Sequence, residues 1–257
     1  MKKLVISTVL FIIGMPGIYA QQNDLFQKKE FIYKGDTLKY RVLFPENYDT
    51  NRDYPLVVFL HGSGERGSDN EMQLTHGASL FTGEQNRKDF PSIVIFPQCP
   101  QEDSWVEREK IDFENIEFPK KPTMTKSLFL VKKLLDSYKK TEAVDKHKIY
   151  VMGLSMGGMG TFDLICRYPK YFAAAIPICG GVNTSRLKKV KNMPIRIFHG
   201  GADEVVSREF SRNAYIELKA QGSVRAEYIE FPGVGHDSWT NAFAYPDYLG
   251  WMYYQSR

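Results

Sequence analysis

The string Gly153-Leu154-Ser155-Met156-Gly157 follows the apolar run Ile149 to Leu154 without a break and opens a segment, Met156 to about Tyr168, that Pro169 closes. Few backbones satisfy that arrangement. A short continuous apolar run predicts a buried strand, the segment after it predicts a helix, and too little chain lies between them for a loop. The turn must therefore fall at Ser155, in a strained conformation that lifts its hydroxyl above a sheet. Side chains two residues to either side would collide there, which accounts for Gly153 and Gly157, while Gly158 and Gly160 thin the helix near the strand. The rival account, a glycine-rich phosphate cradle, lacks both the phosphate-binding lysine and the G-x-G-x-x-G spacing of a dinucleotide site.

The rest of the chain supplies a sheet for this turn to stand on. Further apolar runs appear at Leu56 to Leu60, Ile93 to Phe96, Ala173 to Ile178, Ile195 to Phe198 and Ala226 to Phe231. Most are continuous rather than alternating, so they predict strands buried on both faces, in a mainly parallel sheet flanked by helices. An antiparallel hairpin is expected ahead of them, Phe31 to Tyr33 and Leu38 to Phe44 around the turn Lys34-Gly35-Asp36. Helices are expected after Thr123 or Thr125, with an apolar stripe of Leu128, Val131, Leu134, Leu135 and Tyr138, then over about 208–221 and 247–254. The C-terminal aromatics read as packing against the sheet edge. With 257 residues, 43% of them hydrophobic, there is material for one sizeable core. The stretch Gln101 to Pro122 has no strong periodicity and is expected as an inserted loop over a site.

A serine hydroxyl is a poor nucleophile until an imidazole takes its proton, and the imidazole needs a carboxylate to fix its tautomer. In a doubly wound sheet the loops leaving the carboxyl ends of the strands meet along one edge. The run ending at Phe198 leads into His199-Gly200-Gly201-Ala202-Asp203-Glu204, and the run ending at Phe231 leads into Gly233-Val234-Gly235-His236. Ser155, Asp203 and His236 are accordingly the expected nucleophile, acid and base, in the chain order of an α/β-hydrolase. Glu204 competes with Asp203, which is preferred because it directly follows the Gly-Gly-Ala turn. Among the other histidines, His147 falls at the far edge of the sheet, His199 precedes the acid, and His61 opens a glycine-rich loop. That loop, His61-Gly62-Ser63-Gly64-Glu65-Arg66-Gly67, is expected to aim an amide inward from Ser63 or Gly64, which with the Met156 amide would form an oxyanion hole. Glu65, Arg66, Asp69 and Asn70 read as a polar network bracing it.

The fuller string Leu60-His61-Gly62-Ser63-Gly64-Glu65-Arg66-Gly67-Ser68-Asp69-Asn70, with Phe96-Pro97-Gln98-Cys99-Pro100, Trp105 and Gly235-His236-Asp237-Ser238-Trp239, resembles one branch of the α/β-hydrolase superfamily. That branch contains exported esterases labelled predicted peptidases or phospholipase/carboxylesterase-like, related to feruloyl and acetylxylan esterases and dienelactone hydrolases. The resemblance covers nearly all of the chain beyond residue 20 and implies hydrolysis of carboxylic esters, with acetyl or hydroxycinnamoyl groups on plant polysaccharides as the expected substrates. The residues themselves specify only acyl transfer through a covalent serine intermediate. Trp105 and Trp239 are the candidate substrate contacts, with a place in the core as the alternative for each. Two other functions stay open: a peptidase of prolyl-oligopeptidase type, and a polysaccharide-binding protein that keeps the fold without the chemistry. With no H-E-x-x-H and no C-x-x-C in the chain, neither metal nor cofactor is expected.

Lys2 and Lys3 precede the apolar run Leu4 to Ile13, and Pro16 and Gly17 follow it, so residues 1–20 predict a secretory leader cleaved after Ala20, with a single catalytic domain over 21–257. Position 21 is Gln, so no lipid-bearing cysteine and no membrane anchor is expected, and the destination is periplasmic or extracellular. The formal net charge of +4 includes both leader lysines and predicts no bulk attraction to nucleic acid or anionic lipid. Cys99, Cys166 and Cys179 are an odd set without close spacing, expected as buried thiols rather than a disulfide framework.

Overall fold

Burial on both faces dictates the architecture. In the strand Tyr54–Leu60 (β3), Leu56, Val58 and Leu60 belong to one apolar cluster while Val57 and Phe59 belong to another. A strand buried on both sides needs helices above and below it. The computed structural model describes residues 25–107 and 116–257; the expected leader and the middle of the 101–122 stretch lie outside them.

The described residues form an eight-stranded sheet in the order β1-β2-β4-β3-β5-β6-β7-β8. Its strands are β1 (Gln27–Tyr33), β2 (Asp36–Leu43), β3, β4 (Ile93–Pro97), β5 (Val144–Leu154), β6 (Ala174–Ile178), β7 (Ile195–Gly200) and β8 (Ala226–Phe231). β1 pairs antiparallel with β2 and β2 with β4, whereas every pairing from β4 to β8 is parallel. The expected hairpin is present, turned by Lys34 and Gly35, both at positive φ (53° and 89°) as a tight two-residue turn requires. β1 begins earlier than the apolar pattern suggests, because Gln27 to Glu30 are exposed edge residues held by the ladder with β2 and not by apolar packing. β5 likewise begins at Val144, through the polar residues Asp145 to Lys148.

Seven helices accompany the sheet among the described residues: α1 (Ala78–Thr82), α2 (Glu84–Asp89), α3 (Lys126–Thr141), α4 (Met156–Arg167), α5 (Glu209–Ala220), α6 (Ser238–Phe243) and α7 (Tyr248–Tyr254). Thr125, not Thr123, caps α3, its hydroxyl accepting from the Leu128 amide at 3.3 Å. The five expected stripe residues of α3 are all buried, each contributing on the order of 1.5–3 kcal/mol by leaving water. α3, α4 and α5 cover one face of the sheet; α1, α6 and α7 cover the other. The C-terminal aromatics pack as expected, with Tyr253 stacked on Phe90 at 4.9 Å and bonded to Ser92 Oγ at 2.6 Å. All three cysteines are free and buried, and burial pushes the thiols of Cys99 and Cys166 up to about 12. No described helix is long and apolar enough to cross a membrane.

Candidate active site

Parallel pairing brings the carboxyl ends of β3, β5, β7 and β8 to one edge, and Ser155 stands at its centre. Ser155 takes φ 52° and ψ −118°, a conformation costly for a residue with a Cβ, and its amide donates to Ile178 O at 2.9 Å. The packing around it explains the glycines. A Cβ on Gly153 would lie 2.5 Å from Gly157 O and 2.6 Å from Leu60 O, and one on Gly157 would overlap the Leu60 carbonyl. α4 is pressed against β3 and β5 closely enough to force the turn.

Asp203 follows β7 and His236 follows β8. His236 Nδ1 lies 2.8 Å from Asp203 Oδ2, and its Nε2 lies 3.0 Å from Ser155 Oγ. Because an ionised carboxylate only accepts, Nδ1 carries the proton and Nε2 faces the serine as the acceptor. The Asp203 side chain has no solvent exposure. Burial pushes its carboxyl up, but hydrogen bonds from His199, His236 and the Val206 amide outweigh that and hold it well below the usual carboxylate range. Oδ1 accepts from the amides of Val205 and Val206, each at 2.9 Å. Glu204 is exposed.

The sequence marks His199 only as a residue shortly before Asp203. The structure buries it completely and sets its Nε2 3.2 Å from Asp203 Oδ2 and 2.9 Å from Val206 O, with Nδ1 2.7 Å from Ser211 Oγ. The carboxylate is thus held between two imidazoles. The signal in the chain was its place four residues before the acid, across the Gly200-Gly201 turn. Cys179 lies beneath the group, its Sγ within 4.8 Å of the ligating atoms of Asp203 and His236. Burial, with the Asp203 charge beside it, pushes this thiol up and disfavours the thiolate a metal would require.

The loop after β3 approaches from the other side. Gly62 is extended (φ −76°, ψ −179°), and a Cβ there would lie 2.8 Å from Leu154 Cδ1 and 3.7 Å from Ser155 Cβ. Ser63 and Gly64 follow in a short 3-10 turn, Ser63–Glu65. Met156 opens α4, so its N–H has no intrahelical partner. His61 fixes the loop to the end of β4: Nδ1 donates to Gly62 O at 2.6 Å, and Nε2 accepts from the Cys99 amide at 3.0 Å. That tautomer is neutral, and burial lowers the His61 pKa from 6.5 to about 4.

The two tryptophans separate. Trp105 is a correction to the expected substrate contact: it is 0% exposed, donates from Nε1 to His61 O at 3.0 Å and lies against Gly160, so it is a core residue supporting the loop. Trp239 is half-buried and meets the His236 ring edge-on at 5.4 Å, with His76 tilted against its other side at 5.2 Å.

A mostly parallel sheet carrying a strained serine between strand and helix, with an acid and a histidine in the loops after later strands, defines the α/β-hydrolase class. The Esterase family model matches residues 33–241, and the chain belongs to that family of the α/β-hydrolase superfamily. A thermostable esterase of known structure is 36% identical with a TM-score of 0.84 over 92% of this chain, which spans 64% of that esterase's length. Carboxylesterase SOBER1 of Arabidopsis thaliana is 25% identical over 190 residues, covering 70% of this chain and 82% of that one. A ferulic acid esterase from Anaeromyces mucronatus shares the fold at a TM-score of 0.63 and 16% identity, covering 86% of this chain and 88% of that one.

Proposed function

We propose that this chain is an exported serine hydrolase that cleaves carboxylic esters through an acyl-enzyme, with Ser155 as nucleophile, His236 as general base and acid, and Asp203 as the orienting acid. The observation that carries it is the unbroken hydrogen-bonded line from Asp203 through His236 to Ser155, at 2.8 and 3.0 Å. Ser155 Oγ attacks the ester carbon while its proton passes to His236 Nε2, and the resulting imidazolium is stabilised by the Asp203 carboxylate. The carbonyl oxygen, now an anion, takes hydrogen bonds from the Met156 amide and from that of Ser63 or Gly64. Collapse of the tetrahedral species breaks the bond to the alcohol oxygen, which leaves with the proton held on Nε2. Water then attacks the acyl-serine by the same proton route, releasing the acid and restoring Ser155.

For substrate we propose acetyl or hydroxycinnamoyl esters, including those borne on plant polysaccharides, with Trp239 against the bound ester. Support comes from the family match and from the feruloyl esterases that share the fold. A p-nitrophenyl acetate assay tests the chemistry: Ser155→Ala is expected to lose about ten-thousandfold in turnover while remaining folded. Full activity in that variant would end the proposal.

A further inference from the structure

Glu65 behaves unlike the rest of its loop. It is 8% exposed, yet its buried Oε2 has no hydrogen-bond partner among the described residues, and Oε1 lies 3.7 Å from His76 Nε2. Arg66, Asp69 and Asn70 do form the expected brace: Arg66 Nε donates to Ser63 O at 3.0 Å, and Gln98 bridges Asp69 Oδ1 and the Asn70 amide at 2.7 Å each. Glu65 joins it only through its backbone carbonyl, which accepts from Gln98 Nε2 at 3.4 Å; its side chain takes no part. A buried acceptor left without a donor is costly, and a fold tolerates the cost where something else is to fill the place.

The surroundings say what that is. A Cβ on Gly62 would lie 3.0 Å from Glu65 Oε2 and 3.7 Å from Ser155 Cβ, so carboxylate and nucleophile flank the same glycine. From the other direction, His236 meets Trp239 and Trp239 meets His76, which faces Glu65, forming one continuous wall from the base to the loop. His236 hands its proton to the leaving oxygen, so the alcohol half of an ester must lie at this end. An ionised carboxylate accepts hydrogen bonds and donates none, and without a donor it would oppose the oxyanion forming beside it. Rotation about its terminal bond presents either oxygen.

We propose that Glu65, together with His76, is a specificity-determining subsite that accepts a hydrogen bond from a hydroxyl on the alcohol half, one carbon away from the carbon bearing the ester oxygen. This rests on the ester-hydrolase function above. It selects esters of vicinal diols, such as sugars and polyols, over simple alkyl esters, because an alkyl group leaves the buried carboxylate unpaired.

Propyl acetate and 2-hydroxyethyl acetate form the matched pair, one ending in CH3 where the other carries OH. The wild-type chain is expected to show kcat/KM at least about tenfold higher for the hydroxylated ester, the ordinary size of a hydrogen bond to a charged group. Glu65→Ala is expected to bring the ratio close to one, and Glu65→Gln, which keeps shape and an acceptor but not the charge, to leave it between. Wild-type activity on both esters without preference would overturn the subsite alone, and needs no variant to fold. Equal losses on both esters in Glu65→Ala and Glu65→Gln, with the ratio unchanged, would overturn it in favour of a structural brace. Inactivity of the wild type on both and on p-nitrophenyl acetate would overturn the ester-hydrolase function, and the subsite with it.

Discussion

The proposed nucleophile side, at Ser155, and the proposed acid-base side, at Asp203 and His236, are held in place by different physics. At the turn between β5 and α4, backbone presses on backbone: Gly153 and Gly157 sit where any side chain would run into the carbonyls of Leu60 and Gly157. On the acid-base side the constraint is a set of hydrogen bonds to buried atoms, with Asp203 receiving His236, the amides of Val205 and Val206, and His199. Steric order of the first kind is all-or-none, because a methyl group cannot be partly admitted. Hydrogen-bonded order is graded, because each partner can be removed alone. Substitutions on the two sides should therefore differ in the shape of their effects as well as in their size.

Asp203→Asn is the largest expected break in the graded side. It removes the charge that stabilises the imidazolium and reverses the preferred tautomer of His236, so kcat should fall about ten-thousandfold, about 5 kcal/mol of transition-state stabilisation, with folding retained. Gly157→Ala is the corresponding break on the steric side, and it should act on folding: a loss of about 3–5 kcal/mol in a urea melt, or no accumulation of folded protein. A Gly157→Ala chain as stable as the wild type would show that the close approach of α4 is not what fixes the turn.

His61 sharpens the contrast through pH. Its folded-state pKa is lowered from 6.5 to about 4, so below 6.5 the unfolded chain binds a proton that the folded chain refuses. The stabilising contribution is complete above pH 6.5 and is lost as pH falls toward 4, about 3 kcal/mol in all. Urea midpoints measured across that range should drop in the wild type and drop less in His61→Gln. A smaller effect is expected at His199, where Asp203 keeps three other partners: His199→Gln should lower kcat about tenfold with KM within about twofold. Gly64→Ala is the control, since a Cβ there meets nothing within 4 Å; stability should change by less than about 0.5 kcal/mol.

The steric side was the more legible in sequence. The five-residue string at 153–157 carries its own geometric demand, and the apolar runs located each central strand because burial on both faces leaves few polar positions to obscure them. The placement of Asp203 and His236 beside Ser155 was also readable, since topology alone assigns their loops to that edge of the sheet. Polar strand ends were not: Gln27 to Glu30 pair along an exposed edge, and Asp145 to Lys148 open β5 where its pairing with β3 is interrupted, so neither leaves a hydrophobic trace. Trp105 shows the same limit in reverse. An aromatic in an aperiodic stretch looks like a lining residue until its indole N–H is found bonded to His61 O in the core. Glu65 and His199 needed coordinates, because what distinguishes them is which partner a buried polar atom has or lacks.

The central claim is that the Ser155 hydroxyl is activated by His236. Labelling the folded chain with a fluorophosphonate, followed by peptide mass spectrometry, tests it most directly. The account predicts one adduct, on Ser155, lost in Ser155→Ala and slowed by orders of magnitude in His236→Ala. An unmodified Ser155 in folded wild-type protein, or labelling that proceeds equally fast without the imidazole, would contradict it.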